Sequence, residues 1–430
     1  MRILKKASPG RLIVMGFAVI IFLGALLLFM PFSQNDGIDV TFSEALFTAT
    51  SAACVTGLVV VDPADTFNMF GQAIIASLIQ LGGLGFASVA MGTVLLAGKR
   101  VTLRERGLVR EALNLSTNKG IIHVVKFVLL TTFLIESSGA ILSAIAFSKY
   151  FSPLESLRLG VFHAVSAFNN AGFDILGGFK NLSDYRHDPF LLLVTSALII
   201  LGGLGFMVIS DVVHKRHFRR FSLNTKIVIE TTVFLLASGT FLLLVTERFS
   251  LLDAFFSSVT ARTAGFSSAP FGLFSNAGLF VMMMLMFVGA SPGSTGGGIK
   301  TTTAFTVFRA LYSSAVNKKC SAFKRSVSQS VITKAFVVIS LSLALVVTDT
   351  LLICTFQPEL NFEDILFEVI SAFATVGLST GITVELNLAS RIVIILTMFI
   401  GRIGPITVAT LWSYKKAPSA AYTEENIAIG

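Results

Sequence analysis

Four stretches decide how this chain is read: FTATSAACVTGLVV (47–60), FHAVSAFNNAGFDI (162–175), FFSSVTARTAGFSS (255–268) and FEVISAFATVGLST (367–380). Aligned on Gly57, Gly172, Gly265 and Gly377, each carries a phenylalanine ten positions earlier (Phe47, Phe162, Phe255, Phe367) and Leu58, Phe173, Phe266 or Leu378 directly after. The glycines are 115, 93 and 112 residues apart, the spacing of one unit present four times. Each apolar run before its glycine is shorter than the roughly 20 residues needed to cross a bilayer. It therefore reads as a re-entrant helix followed by a glycine strand.

Working outward, longer apolar stretches flank each of these segments, at about 12–31, 69–97, 121–147, 189–213, 227–246, 277–310, 331–355 and 391–414, giving eight expected spans. The first follows Arg2, Lys5 and Lys6 but lacks a small-residue cleavage site, so it reads as an anchor and not a signal peptide. A second register supports the first. Past each key glycine, by 24 to 30 residues, stand Gly82-Gly83-Leu84-Gly85, Gly202-Gly203-Leu204-Gly205, Gly289-Ala290-Ser291-Pro292 and Gly401-Arg402-Ile403-Gly404. The expected fold is all-α integral membrane: four tandem units of span, re-entrant helix, glycine strand and span (1–110, 111–220, 221–320, 321–430), arranged pseudo-fourfold around a central pore.

Composition agrees. With 54% hydrophobic and only 13% charged residues, the chain lacks the polar surface of a soluble protein. Forty Phe against one Trp and five Tyr, with 35 Gly, suit a close-packed helical bundle and not a barrel with aromatic girdles. Cys54, Cys320 and Cys354 show no metal or disulfide spacing, and the five histidines form no catalytic motif, so enzyme chemistry has no foothold. Of the 33 basic residues, 24 lie in the N-terminal tail, 99–126, 214–226, 309–334 and 415–416. Alternating spans put all of these on one side, and the positive-inside rule then makes both termini cytoplasmic. The net charge of +9 is thus explained by topology, not by nucleic acid, and anionic lipid is the plain target of the basic loops. The opposite connections are acidic, Asp62, Asp65, Asp174, Asp349 and Glu368 among them.

Non-helical backbone at membrane depth is tolerated only where protein buries it or where it lines a wet path. Four such strands suit one shared axis, where Val55, Thr56, Gly57 and Leu58, Asn170, Ala171, Gly172 and Phe173, Thr263, Ala264, Gly265 and Phe266, and Thr375, Val376, Gly377 and Leu378 can aim carbonyls at a dehydrated cation. Glycine permits the backbone angles this requires. In the third unit Gly289, Pro292, Gly293 and Gly296–Gly298 interrupt the second span, which is expected to leave the helix midway. Lys300 after three glycines does not make a phosphate loop, because Ile299 intervenes and no strand precedes it. Arg402 replaces Gly83 and Gly203 of the first two units, and a guanidinium at that depth is a functional candidate. Glu136 is a membrane-region carboxylate expected to pair within the bundle or to bind a cation and is not assigned to the conduction path, while Lys334, Asp349, Asp211 and Glu230 are expected at the interfaces.

The four glycine strands, GASPGSTGGGIKTTT (289–303) and FIGRIGPIT (399–407) resemble the membrane subunit of Ktr-type potassium uptake systems, within the Trk, Ktr and HKT cation transporters. A single span before the first re-entrant helix favours the Ktr branch. The resemblance covers essentially the whole chain and implies K⁺ uptake with Na⁺ assisting, potassium held at the four strands. It implies an intramembrane gate loop over 290–303, carried here by Ala290, Ser291, Pro292, Gly293, Ser294, Thr295, Gly296, Gly297, Gly298 and Lys300, working with Arg402. It further implies a homodimer in a bacterial cytoplasmic membrane, seated on a cytosolic nucleotide-binding regulatory ring (KtrA-like or KtrC-like). Nucleotide then acts only through that partner, and this chain carries no cofactor. The loops 99–119 and 214–226 and the tail AYTEENIAIG are its candidate contacts. A less selective Na⁺/K⁺ path and an alternating-access carrier are the rival readings; a carrier would more typically show inverted repeats.

Overall fold

The computed structural model describes residues 9–97, 101–112 and 120–409 of the 430-residue chain. Its helices are α1 (Pro9–Phe29), α2 (Phe42–Cys54), α3 (Met69–Leu84), α4 (Phe86–Leu96), α5 (Leu103–Ala112), α6 (Ile121–Phe147), α7 (Pro153–Phe168), α8 (Pro189–Leu204) and α9 (Phe206–Lys215). They continue as α10 (Leu223–Glu247), α11 (Leu251–Thr260), α12 (Asn276–Phe287), α13 (Thr301–Ala315), α14 (Gln329–Phe356), α15 (Phe362–Ala374), α16 (Leu388–Ile403) and α17 (Pro405–Ala409). One two-residue hairpin, Ser321–Ala322 with Arg325–Ser326, lies between α13 and α14.

Four of these helices, α1, α6, α10 and α14, are continuous and long and apolar enough to cross a membrane. Their outer faces are apolar: Phe133, Phe234 and Val347 are about two-thirds exposed, as lipid contact requires. The second stretch of every unit is broken, so the interruption expected in the third recurs in the other three, whose second stretches read as continuous spans. Helix α3 turns into α4 through 96° and α8 into α9 through 95°. The hinges are Gly85 and Gly205, with φ of 78° and 90°, and Gly404 at 97° separates α16 from α17. Apolar composition runs straight through each hinge, so hydropathy does not register the bend; the positive φ of the glycine ends the helix.

The short helices α2, α7, α11 and α15 begin at defined caps. Thr41 and Glu44 form a capping box on α2, and Ser250 caps the Asp253 amide on α11. Their bodies are buried: Phe47 and Phe367 are inaccessible and Phe162 nearly so, while Phe255 is partly buried against the same core. Two large apolar clusters result, one centred on units one and two and the other on units three and four. Two carboxylates depart from expectation. Asp349 is buried and accepts a 2.6 Å hydrogen bond from Thr397, and Glu368 is wholly buried on α15, where Thr383 donates to it. A hydroxyl from α16 serves Asp349, while Thr383, in the turn that follows strand four, serves one oxygen of Glu368 and leaves the other without a partner.

Candidate functional site

Each short helix ends in the same backbone turn. Val55, Asn170, Thr263 and Thr375, two positions before the key glycines, take left-handed φ of 55°, 58°, 67° and 51°, and Gly57, Gly172, Gly265 and Gly377 take 99°, 69°, 80° and 94°. Left-handed residues two apart, a conformation that costs a side-chain-bearing residue energy, recur in all four strands. The residues after the glycines, Leu58, Phe173, Phe266 and Leu378, are buried.

The four strands meet. A Cβ on Gly57 would strike the carbonyl oxygen of Ala171, on Gly172 that of Ala264, on Gly265 that of Val376, and on Gly377 that of Thr56. Each glycine thus abuts the residue before the next glycine, and the fourth abuts the first. Sixteen residues scattered over more than 300 positions of sequence are gathered into one closed ring.

Hydroxyls hold the strands from behind, a feature the sequence reading missed. Six positions before the glycine, Ser51 and Ser371 accept the amides of Gly57 and Gly377 at 3.0 and 3.1 Å. The carbonyls of Ser51, Ser166 and Ser371 each accept the amide preceding the glycine at 2.8 Å. In the third unit the Thr260 hydroxyl instead donates to the Phe266 carbonyl at 2.7 Å. The Ser-Ala dipeptides at 51, 166 and 371 were the available signal. Removing an acceptor from a buried amide costs about 1–3 kcal/mol. Ser371→Ala is therefore expected to lower the melting temperature of the purified protein. Ser166→Ala, whose hydroxyl has no partner, should leave it nearly unchanged, and equal shifts would contradict this assignment.

Beneath the ring, residues 288–300 leave helical structure, which shortens the expected loop of 290–303, because Thr301, Thr302 and Thr303 already open helix α13. The Gly289 amide bonds the Ile299 carbonyl at 2.9 Å, closing the loop's neck. The loop then crosses to unit two: Ser291 N donates to Gly203 O at 3.0 Å, Phe206 N to Gly293 O at 3.0 Å, and the Thr295 hydroxyl to Phe168 O at 3.1 Å. Side chains on Gly296, Gly297 and Gly298 would collide with Thr263, Thr375 and Ala374, so the glycines let the loop lie directly against strands three and four. Lys300 folds back on its own loop, its Nζ 2.6 Å from Gly296 O and 3.2 Å from Gly297 O.

Arg402 completes the layer. Its guanidinium donates to the carbonyls of Thr295 in the loop and of Gly82 in unit one, and to Gly83 O at 3.2 Å. It does not snorkel to the cytoplasmic edge. Units two, three, four and one are consecutively bridged by Gly203, the loop and Arg402. Trp412 and the tail AYTEENIAIG lie outside the described residues, as does much of 99–119.

Glu136 pairs within the bundle. It accepts from Asn169 at 2.8 Å and Gln80 at 3.1 Å, and Asn169 also donates to Gln80 at 2.9 Å. Among the described residues no group of three or more His, Cys, Asp or Glu converges on a metal-sized point. The ring residues themselves carry backbone carbonyls, the hydroxyls of Thr56, Thr263 and Thr375, and the side-chain amide of Asn170.

The chain is similar to proteins of known kind along its whole length. It is 37% identical over 447 residues to the potassium/sodium uptake protein NtpJ of Enterococcus hirae, covering 100% of this chain and 99% of that one. It is 38% identical over 438 residues to the Ktr system potassium uptake protein B of Bacillus subtilis, covering 99% and 97%. The crystal structure of the potassium transporter TrkH from Vibrio parahaemolyticus superposes with a TM-score of 0.74 at 18% identity, covering 95% of this chain and 86% of that one, and so shares the fold. Residues 11–251 and 247–425 match the TrkH family, described as cation transport protein. On both the family match and the full-length relatives, this chain is a multi-pass membrane protein that belongs to the TrkH cation transport protein family.

Proposed function

We propose that this chain takes up K⁺ through the ring of four glycine strands, which acts as a selectivity filter. The observation that carries the reading is the closed order Gly57, Gly172, Gly265, Gly377, each glycine packed on its neighbour's carbonyl. Repeated left-handed φ values turn successive peptide groups, so that carbonyls can line one side of each strand and replace a cation's water. The hydroxyls of Thr56 and Thr375 are buried without partners, as oxygens awaiting a cation would be. The short helices end at this ring and present their partially negative C-termini to it. Residues 290–300 and Arg402 act as the gate, because they lie against the strands and carry fixed positive charge where a cation would leave.

Two relatives are named for potassium uptake, one of them also for sodium, which supports K⁺ as cargo; Na⁺ as an assisting ion rests on the family resemblance. The Bacillus subtilis relative is named as one protein of a "Ktr system", which supports a partner for this chain; a cytosolic nucleotide-binding ring as that partner, and a homodimer in the cytoplasmic membrane, rest on the family resemblance of the strands and the loop. The test is growth of a potassium-uptake-deficient bacterium at low external K⁺, with and without a candidate ring subunit. Rescue that depends on the ring and is accompanied by Rb⁺ uptake is expected. Rescue with equal Rb⁺ and Na⁺ fluxes would replace the reading by an unselective path, and no rescue in either arm despite membrane insertion would overturn it.

A further inference from the structure

The ring has an asymmetry that the fourfold pattern does not foresee. Between strand two and α8 lies an outer connection, 174–188, and Asn181 on it reaches back to the filter. Its amide Nδ2 donates to the Gly172 carbonyl at 3.1 Å and to the Asp174 carboxylate at 2.7 Å. Its Oδ1 accepts the Ser267 amide at 3.1 Å and the Leu182 amide at 3.0 Å. The Leu182 amide also donates to the Ser267 carbonyl at 3.0 Å. Ser267 stands two residues after Gly265, so a single side chain joins strand two to strand three at the outer rim.

Asn181 is itself fixed. Its backbone is left-handed, φ 50°, a conformation asparagine tolerates better than most residues. The turn before it is clamped by unit one: the Phe179 amide donates to Asp62 at 2.6 Å and the Gly178 amide to Asp65 at 3.1 Å. Three units therefore converge on one amide. Among the described residues, Gly172 is the only one of the four filter glycines whose carbonyl receives a side-chain donor.

Building on the filter reading above, we propose that Asn181 is a specificity-determining positioning residue. By holding the Gly172 carbonyl and the Ser267 amide at fixed separation, it sets the width of the outer rim between strands two and three. It also withdraws part of one carbonyl's charge from the ion, so that the outermost position holds a cation by three free glycine carbonyls and one shared one. A rim held open at a fixed width favours the larger, more easily dehydrated K⁺ over Na⁺. Released, strands two and three can close on the smaller ion.

The experiment compares Rb⁺ and Na⁺ fluxes in proteoliposomes of the full chain, with Asn181→Ala, which removes both bridges, and Asn181→Asp, which is isosteric, keeps the acceptor, and replaces the donors by a carboxylate oxygen facing Asp174 and the Gly172 carbonyl. Gly172→Ser serves as the filter control. Asn181→Ala should lower the Rb⁺-to-Na⁺ ratio about fivefold, the weight of one ordinary hydrogen bond in an equilibrium. Asn181→Asp should lower it similarly, because the acceptor to Ser267 remains while the donor to Gly172 is lost. A residue that merely supports folding would reduce both fluxes together and leave the ratio alone; that result overturns the proposal. Should Asn181→Ala fail to assemble, the ratio in Asn181→Asp decides. An unchanged ratio in the Asn181 variants with a collapsed ratio in Gly172→Ser removes the role of Asn181 and keeps the filter; an unchanged ratio in Gly172→Ser removes the filter itself.

Discussion

Gly265→Val is expected to reduce Rb⁺ uptake by more than tenfold without removing the protein from the membrane. Two effects combine at this position. The backbone sits at φ 80°, where a β-branched side chain adds strain of about 1–2 kcal/mol. A Cβ there would also strike the Val376 carbonyl, and it would come within 3.1 Å of the Gly172 Cα and 3.3 Å of the Gly377 Cα. The collision is with backbone on both sides, so no side chain can rotate away; the ring itself must widen. Since about 1.4 kcal/mol corresponds to tenfold, even modest strain placed on ion binding is enough. Gly37 provides the control. It has the same φ of 80° but open space around it, so Gly37→Val carries the strain without the collision and should transport within about twofold of the parent. Normal Rb⁺ uptake by a membrane-inserted Gly265→Val protein would mean the ring is not the ion's route.

How much of this site could be read in advance depended on what repetition exposes. The strands were legible because four copies share Phe at minus ten and an apolar residue at plus one, and a fourfold coincidence at fixed offsets outweighs any single weak Thr-x-Gly. The loop at 290–300 was legible because proline and clustered glycine cannot continue a helix. The hinges at Gly85, Gly205 and Gly404 were not, although their glycines were noted, because apolar sequence on either side looks the same whether the helix continues or turns. The partners of Arg402 were illegible for another reason. The carbonyl it reaches on Gly82 is 320 residues away in sequence, and a backbone carbonyl leaves no mark in the side-chain code. Asn181 combines both difficulties, standing in an outer connection without a counterpart in the other units and bonding to backbone from two strands. Asp349 and Glu368 read as outward-facing carboxylates because charge alone suggests water. Thr397 and Thr383, which donate to them, lie 48 and 15 residues further along.

Arg402→Ala should have the opposite effect to Gly265→Val, raising resting K⁺ flux. The wild-type guanidinium ties the Thr295 carbonyl of the loop to the Gly82 and Gly83 carbonyls of unit one. Hydrogen bonds from a charged donor contribute about 1.5–3 kcal/mol each, so the one to Thr295 holds the loop by about that much, while those to Gly82 and Gly83 fix the guanidinium on unit one. The same charge repels any cation leaving the filter, most strongly where water is scarce. Alanine removes both effects. The loop keeps its attachments to unit two through Ser291 and Thr295 but loses its tie to unit one, so the opening is predicted on the unit one side. Rb⁺ uptake by vesicles lacking any cytosolic partner is expected to rise by at least about tenfold, the equivalent of losing one charged bond. Arg402→Lys keeps the charge but gathers its donors on one nitrogen in place of the planar fork that spans from the loop to unit one, and should fall between the two. Shortening the loop across Gly296–Gly298, which packs against Thr263, Thr375 and Ala374, should open the path from the side of units three and four. Because these two changes act at opposite ends of one layer, their combined leak should exceed either alone. Resting flux that is unaltered in both, with protein present and glycine-strand variants still inactive, would mean that the barrier lies elsewhere along the path.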